Sequence, residues 1–252
     1  MCPRSSELGW LCVDIASMPY EEARRLQLAL VEAKGREDGF PDVVILLEHP
    51  PVFTLGRRGG HSHLKVTRAF LEEGGFPVIH AERGGDVTYH GPGQLVCYPI
   101  VDLRANGWRV LAFVGALEEV MIRTVRDWGI VAYRNPLNRG VWVGMEKMGS
   151  VGIAVRRGIS FHGFALNVNT ELTPFSWIDP CGLRGIRMTS IERLGKAPSM
   201  GEVRESVKRH VEAVFSVRLH AASLRELARL LRPPDVPWTW DGDLSLPPFL
   251  DE

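Results

Sequence analysis

The fold turns on the stretch Gly140–Val155, GVWVGMEKMGSVGIAV. Two arms rich in Val and Ile flank EKMGS, so it is predicted to be an antiparallel hairpin, with Lys147 at its centre beside Gly149. Gly158–Asn169, GISFHGFALNVN, follows as a further strand with a glycine inside it. Upstream, Phe76–Arg83 (FPVIHAER) and Gln94–Leu103 (QLVCYPIVDL) read as strands on either side of the glycine-rich RGGDVTYHGPGQ at Arg83–Gln94. Asp42–Gly56, DVVILLEHPPVFTLG, reads as a strand, a Pro–Pro break and a second strand. Its run Val44–Leu47 is continuously apolar, the pattern of a strand buried on both faces.

Helical periodicity lies outside this block. Residues 17–35 open with Pro19, Glu21 and Glu22 in the first turn and close on Gly35 as the expected stop. Residues 110–129 form a long apolar helix ending at Gly129. Ser199/Glu202 and Ser223/Glu226 each have the spacing of a capping box. Strands cluster centrally without a βαβ alternation. The expected class is therefore α+β: a mixed, largely antiparallel sheet with flanking helices laid on one face. One domain spanning 1–252 is expected, with room for a small C-terminal helical portion from about 198.

The 252 residues carry 30 Lys and Arg against 30 Asp and Glu, so no global field points to nucleic acid or a membrane. Positive charge is local, at Arg57–Arg58, Arg156–Arg157 and Arg184, Arg187 and Arg193. Cys2, Cys12, Cys97 and Cys181 fit neither a CxxC pair nor a zinc knuckle. With no secretory leader pattern and no apolar stretch of about 20 residues, a cytoplasmic location is expected.

Two segments carry candidate chemistry. The Arg83–Gln94 stretch lacks a Walker lysine and continues as strand, so it is neither a P-loop nor a dinucleotide fingerprint. Its glycines let backbone approach a ligand, Arg83 can hold a carbonyl or anion, and His90 can donate or accept. A tight turn with a structural His90 fits the same composition. In WIDPCGLRG, Pro180 and Gly182 would present Cys181 at a rim, whereas Cys12 and Cys97 sit in apolar runs like small buried hydrophobes. A cation near a thiol favours the thiolate, and Lys147 and His162 are the candidates. An exposed turn lysine and a satisfied core histidine are the plainer readings of those two. A metal site from His90, His162 and Cys181 has no ligand spacing behind it.

Taken together, RGGDVTYHGPGQLVCYP, KMGSVGIAV, FHGFALNVN and PCGL resemble, in order, the signature blocks of the lipoyl(octanoyl) transferases, in the lipoate and biotin protein ligase superfamily. The resemblance covers roughly Val43 to Arg193 and implies the catalytic fold of those ligases. It implies a ping-pong transfer of an octanoyl or lipoyl group from acyl carrier protein to a lysine of a lipoyl domain. Such domains belong to 2-oxoacid dehydrogenase complexes and the glycine-cleavage H protein. Carried over by motif, Cys181 is the nucleophile and Lys147 the partner that favours its thiolate. Arg83, Gly84, Gly85, Asp86, Val87, Thr88, Tyr89 and His90 would line the acyl site. Ser150, Val151, Gly152, His162, Gly163, Phe164 and Ala165 would complete it. No cofactor or metal is implied.

Thiolate attack on a thioester is near balanced and needs no ATP, while amine attack on the acyl-enzyme runs downhill to an amide. Each methylene of the chain that is buried contributes about 0.8 kcal/mol. Gly84–Gly85 and Gly163 are expected to leave room for it, and backbone N–H groups beside the glycines to face the oxyanion. An ATP-dependent lipoate ligase is the alternative in the same fold, but its RRxxGGGxVxHD block differs from the GPGQ that follows His90. A thiol-dependent thioesterase and a non-catalytic acyl-carrier-binding module are the remaining alternatives.

Overall fold

A computed structural model describes residues 9–60, 63–136, 138–179 and 185–231. The elements in order are β1 (Trp10–Asp14), α1 (Tyr20–Arg36), β2 (Val43–Leu47), β3 (Val52–Leu55), α2 (Arg68–Glu73), β4 (Val78–His80), β5 (Val87–His90) and β6 (Gln94–Ile100). Then come α3 (Val110–Arg126), β7 (Tyr133–Arg134), β8 (Gly140–Val143), β9 (Glu146–Arg156), β10 (Ile159–Asn167), β11 (Arg187–Met188), α4 (Met200–Phe215), β12 (Leu219–Ala222) and α5 (Leu224–Leu231).

The large sheet runs β12-β1-β2-β6-β10-β9-β8-β7, with β11 added beside β9. Only the β1–β12, β1–β2 and β9–β11 pairs are parallel within it, so the sheet is mixed and largely antiparallel, as the strand clustering predicts. The helices do not share one face. Val44 and Leu46 of β2 pack with Phe113 and Leu117 of α3 and Val203 and Val207 of α4. Val43, Ile45 and Leu47 point the other way, onto Leu26 and Leu30 of α1 and Leu227 of α5. Helices on both sides follow from the unbroken apolar run of β2, which an alternating strand could not support.

Pro50–Pro51 carries the chain from β2 into a second sheet, ordered β4-β3-β5. That sheet has its own core of Phe53, Leu55, Leu71, Val87, Tyr89, Phe175 and Ile178. The chain then returns as β6 to lie antiparallel to β2, from Val43↔Ile100 to Leu47↔Val96. The Gly93 N–H donates to Glu48 Oε2 at 2.8 Å and clasps the two ends of this excursion.

Local signals place the other boundaries. The Ser199/Glu202 box caps α4 reciprocally, and Ser223 and Glu226 do the same for α5. Gly129, at φ 73°, follows α3 at the expected stop. Gly35 does not stop α1, which continues to Arg36 and is held at its end by Lys34 donating to Phe40 O at 2.6 Å. The hairpin exists, but its turn is Gly144–Met145, with Gly144 at φ 54°, and not EKMGS. A glycine at positive φ suits the first turn position of a two-residue hairpin, and this shifts Lys147 from the tip into strand β9.

Candidate active site

A cleft of about 500 Å³, partly open to solvent, lies where the small sheet meets the large one. The turn 83–86 and Val87, Thr88 and His90 of β5 form one wall. Ser150–Gly152 of β9 and His162–Ala165 of β10 form the other. Val96 and Tyr98 of β6, with Tyr20 from the start of α1, line it between them. Of the residues expected from sequence at the acyl site, all but Tyr89 line this cleft. Alternation along β5 turns Tyr89 into the small-sheet core, 5.2 Å from Phe53 and 5.4 Å from Phe175 between ring centroids.

The turn 83–86 is held by backbone contacts, and the glycines facing it make room for them. Arg57 and Arg58 donate their N–H groups to Arg83 O and Gly85 O, both at 3.0 Å, and Gly84 N–H donates to Ile153 O at 2.9 Å. Gly85 sits at φ 87°. A Cβ on Gly56 would lie 2.6 Å from Gly85 O, and one on Gly152 3.0 Å from Gly84 O. These glycines close protein on protein, and the Gly84 N–H is already spent. Gly163 likewise leaves no space for a ligand: its Cβ would meet Cys97 O at 2.0 Å and Pro99 Cδ at 2.7 Å.

On the β5 wall, Arg83 is 8% exposed and donates to Thr54 Oγ1 (2.8 and 3.2 Å) and Thr54 O (2.7 Å). Thr54 Oγ1 lies 3.5 Å from His90 Nε2, and His90 Nδ1 meets Gln94 Oε1 at 2.7 Å. The glutamine oxygen can only accept, so the His90 proton is on Nδ1. Gln94 Nε2 donates in turn to Asn167 Oδ1 at 2.9 Å. Burial, reinforced by His49 and Arg83 nearby, holds His90 neutral well below the usual histidine range.

Behind this wall His49 is fully buried. Its Nδ1 donates to Met18 O and its Nε2 accepts from the Tyr98 hydroxyl, each at 2.7 Å. Burial pushes its pKa down to about 4. Tyr20 stacks on His90 with centroids 6.0 Å apart, and its buried hydroxyl has no hydrogen-bond partner. Tyr20, His49 and Tyr98 were not singled out from sequence. They come from α1, the β2–β3 link and β6, and only the fold gathers them.

On the β10 wall, His162 is 2% exposed, at φ 55°, and neither ring nitrogen has a hydrogen-bond partner. Its backbone N–H donates to Gln27 Oε1 of α1 at 2.7 Å, and Gln27 is itself buried. Burial lowers the His162 pKa against the pull of Glu82, whose Oε2 is 3.5 Å from Nε2. This contact, together with the Arg24 guanidinium, holds the Glu82 carboxyl well below the usual carboxylate range.

Lys147 is 1% exposed, so it is not a surface turn lysine. Its Nζ donates to Asn138 Oδ1 at 2.5 Å and stands 5.8 Å from the Trp142 ring centroid. The proposed nucleophile Cys181 lies outside the described residues, as do Pro180 and Gly182. The described chain resumes at Gly185, and Met188 pairs with Lys147 across β11 and β9. Among the described residues no group of His, Cys, Asp or Glu could hold a metal ion, and no helix is long and apolar enough to cross a membrane.

Known proteins resemble this chain over most of its length. It is 51% identical over 183 residues to the octanoyltransferase of Desulfotalea psychrophila, covering 72% of this chain and 82% of that one. It is 48% identical over 220 residues to the octanoyltransferase of Syntrophobacter fumaroxidans, covering 87% and 96%. The crystal structure of lipoate-protein ligase A bound with ATP superposes with a TM-score of 0.71 at 18% identity, covering 89% and 93%. The bipartite lipoate protein ligase of Thermoplasma acidophilum gives 0.69 at 19% identity, covering 89% and 90%. These structures share the fold expected from the four sequence blocks. The sequence profile of the lipoyl protein ligase A/B catalytic domain spans residues 19–212, and the chain belongs to that family.

Proposed function

We propose that this protein is an octanoyltransferase that works through a thioester on Cys181. The observation that carries the proposal is the cleft itself: the glycine-rich turn, β9 and β10 enclose one apolar slot, with Lys147 buried on the same strand as Ser150–Gly152. The names of the close relatives support the same reading. The Cys181 thiolate attacks the carbonyl of an octanoyl thioester on acyl carrier protein, the C–S bond to the carrier breaks, and the carrier leaves as a thiol with the proton of the Lys147 ammonium. The neutral amine of a lipoyl-domain lysine then attacks the acyl-enzyme and its proton passes to the now neutral Lys147. An amide forms, and the Cys181 thiolate and Lys147 ammonium are regenerated together. The Lys147 ammonium favours the thiolate that opens the first half-reaction and closes the second.

A lipoyl group, carried by the same donor, would follow the same path, and no cofactor enters it. The acceptors are lipoyl domains of 2-oxoacid dehydrogenases and the H protein, met in the cytoplasm. The chain acts as one catalytic unit: α4 shares a core with α3, and β12 and α5 extend the same sheet and its second face.

Intact-protein mass after mixing with octanoyl-acyl carrier protein, without ATP, tests this. One octanoyl group should be gained, discharged by a lipoyl domain, and absent in Cys181→Ser. Modification of the lipoyl domain only with ATP and free acid would establish a ligase. Discharge to water at the same rate with and without acceptor would establish a thioesterase, and no acylation under either condition would leave a binding module.

A further inference from the structure

We propose that Asn138 is a positioning residue for the reaction: its side-chain oxygen orients the Lys147 ammonium without cancelling its charge. The proposal rests on the reading of Lys147 as partner of the Cys181 thiolate.

The segment from Asn138 to Trp142 wraps around the lysine. Asn138 is 6% exposed, and its Oδ1 accepts from Lys147 Nζ at 2.5 Å. An ammonium can only donate, so this contact fixes which end of the amide faces the lysine. The Asn138 main chain is fixed too: its carbonyl accepts from Trp142 Nε1 at 3.1 Å, and its N–H donates to Asn135 O at 3.3 Å. Trp142 then places its ring against the same ammonium. Between them Gly140, at φ 130°, runs so close that a Cβ there would lie 2.8 Å from Lys147 Cε and 2.2 Å from Gly149 O. The Gly140 N–H is anchored by Glu118 Oε1 of α3 at 2.8 Å.

Charge decides why an asparagine suits this place. A carboxylate would hold the ammonium equally well, but as an ion pair whose field on a neighbouring thiol largely cancels. Glu118 Oε2 stands 3.6 Å from both Arg134 and Arg139, and Glu146 pairs with Arg187 at 3.3 Å. A neutral amide oxygen and an aromatic face both stabilise a cation and leave its net charge intact.

The test is the pH dependence of Cys181 alkylation by iodoacetamide in the full-length protein, read at the Cys181 peptide by mass. It is run on the wild type, Asn138→Ala, Asn138→Asp, Lys147→Ala and the Asn138→Ala/Lys147→Ala double variant. Asn138→Asp preserves shape and adds an ion pair, so it should fold at least as well as the wild type. It should nonetheless move the alkylation profile upward by about one pH unit or more, the size of a close charge effect. It should also lower kcat for octanoyl transfer about tenfold with KM unchanged. Asn138→Ala should move the profile the same way, and add nothing once Lys147 is alanine. A profile that moves in Lys147→Ala but stays in both Asn138 variants overturns the role of Asn138. So does an Asn138→Ala shift that persists in the double variant. A profile unmoved by Lys147→Ala overturns the reading of Lys147 itself.

Discussion

On the β5 side of the cleft, polar groups form a closed relay: Arg83 to Thr54, Thr54 beside His90, His90 to Gln94, and Gln94 to Asn167. On the β10 side, the His162 ring has no such bond and its backbone is left-handed, held in place by the buried Gln27. Both walls are buried and both carry a neutral histidine. The first is fixed by its own side chains. The second is fixed through its backbone, and its ring has one long contact, Glu82 Oε2 at 3.5 Å from Nε2. Backbone strain beside a loosely held buried polar group is a common mark of a working surface. The contrast therefore separates a scaffold wall from a wall that, on the proposed function, would meet the acyl group.

The contrast can be broken most severely at Gly163. Alanine there puts a methyl 2.0 Å from a backbone oxygen, so Gly163→Ala should cost about 3 kcal/mol or more in urea unfolding. A loss below about 1 kcal/mol would show that β10 can shift, and that its strain is not enforced.

Acid titration comes next. His49, behind the scaffold wall, is held at about 4 in the fold, against 6.5 for an unperturbed imidazole. The unfolded chain therefore binds the proton first. The stabilisation is complete above about pH 6.5 and is lost as pH falls towards 4, for about 3 kcal/mol in all. His90 and His162, also lowered, push in the same direction. Melting temperature should fall steadily across this window, and less steeply in His49→Gln.

Thr54→Val removes the oxygen shared by Arg83 and His90 and should cost about 2 kcal/mol. Gln27→Leu leaves only the His162 N–H unpaired, for about 1 kcal/mol. Despite its smaller cost in stability, Gln27→Leu should slow acyl-enzyme formation more than Thr54→Val, measured by quenched-flow mass. Equal slowing would erase the distinction between the walls.

Much of this was legible in the sequence. The apolar run Val44–Leu47 and the hairpin that opens with GVWV predict a largely antiparallel sheet, and the glycine-rich blocks mark the segments that meet at the cleft. The purpose of Gly163 was not legible: it admits the neighbouring backbone of Cys97, as Gly152 admits that of Gly84, and only partners far along the chain reveal this. The side taken by each helix was also hidden, because a strand apolar on every residue does not say which helices cover which face. Lys147 reads as a turn residue because EKMGS follows the first Val-rich arm, yet the turn is set three residues before Lys147, at Gly144. Tyr20, His49 and Tyr98 carry no local signal: Tyr98 lies in an apolar run and reads as core, and Tyr20 and His49 stand alone beside a helix start and a Pro–Pro break.

The clasp between Glu48 and Gly93 has a consequence for how such a cleft can change. β2 and β6 are neighbours, so everything between them leaves the large sheet and returns to almost the same point. One wall of the cleft is thus an interchangeable cassette. Its sequence can vary between those two sockets only where it keeps two seams: the Gly84 N–H on Ile153 O of β9, and the small-sheet core that includes Met188, the strand partner of Lys147. Exchanging residues 49–92 as a block with those seams kept would change one wall of the cleft and leave the β2–β6 register as the frame.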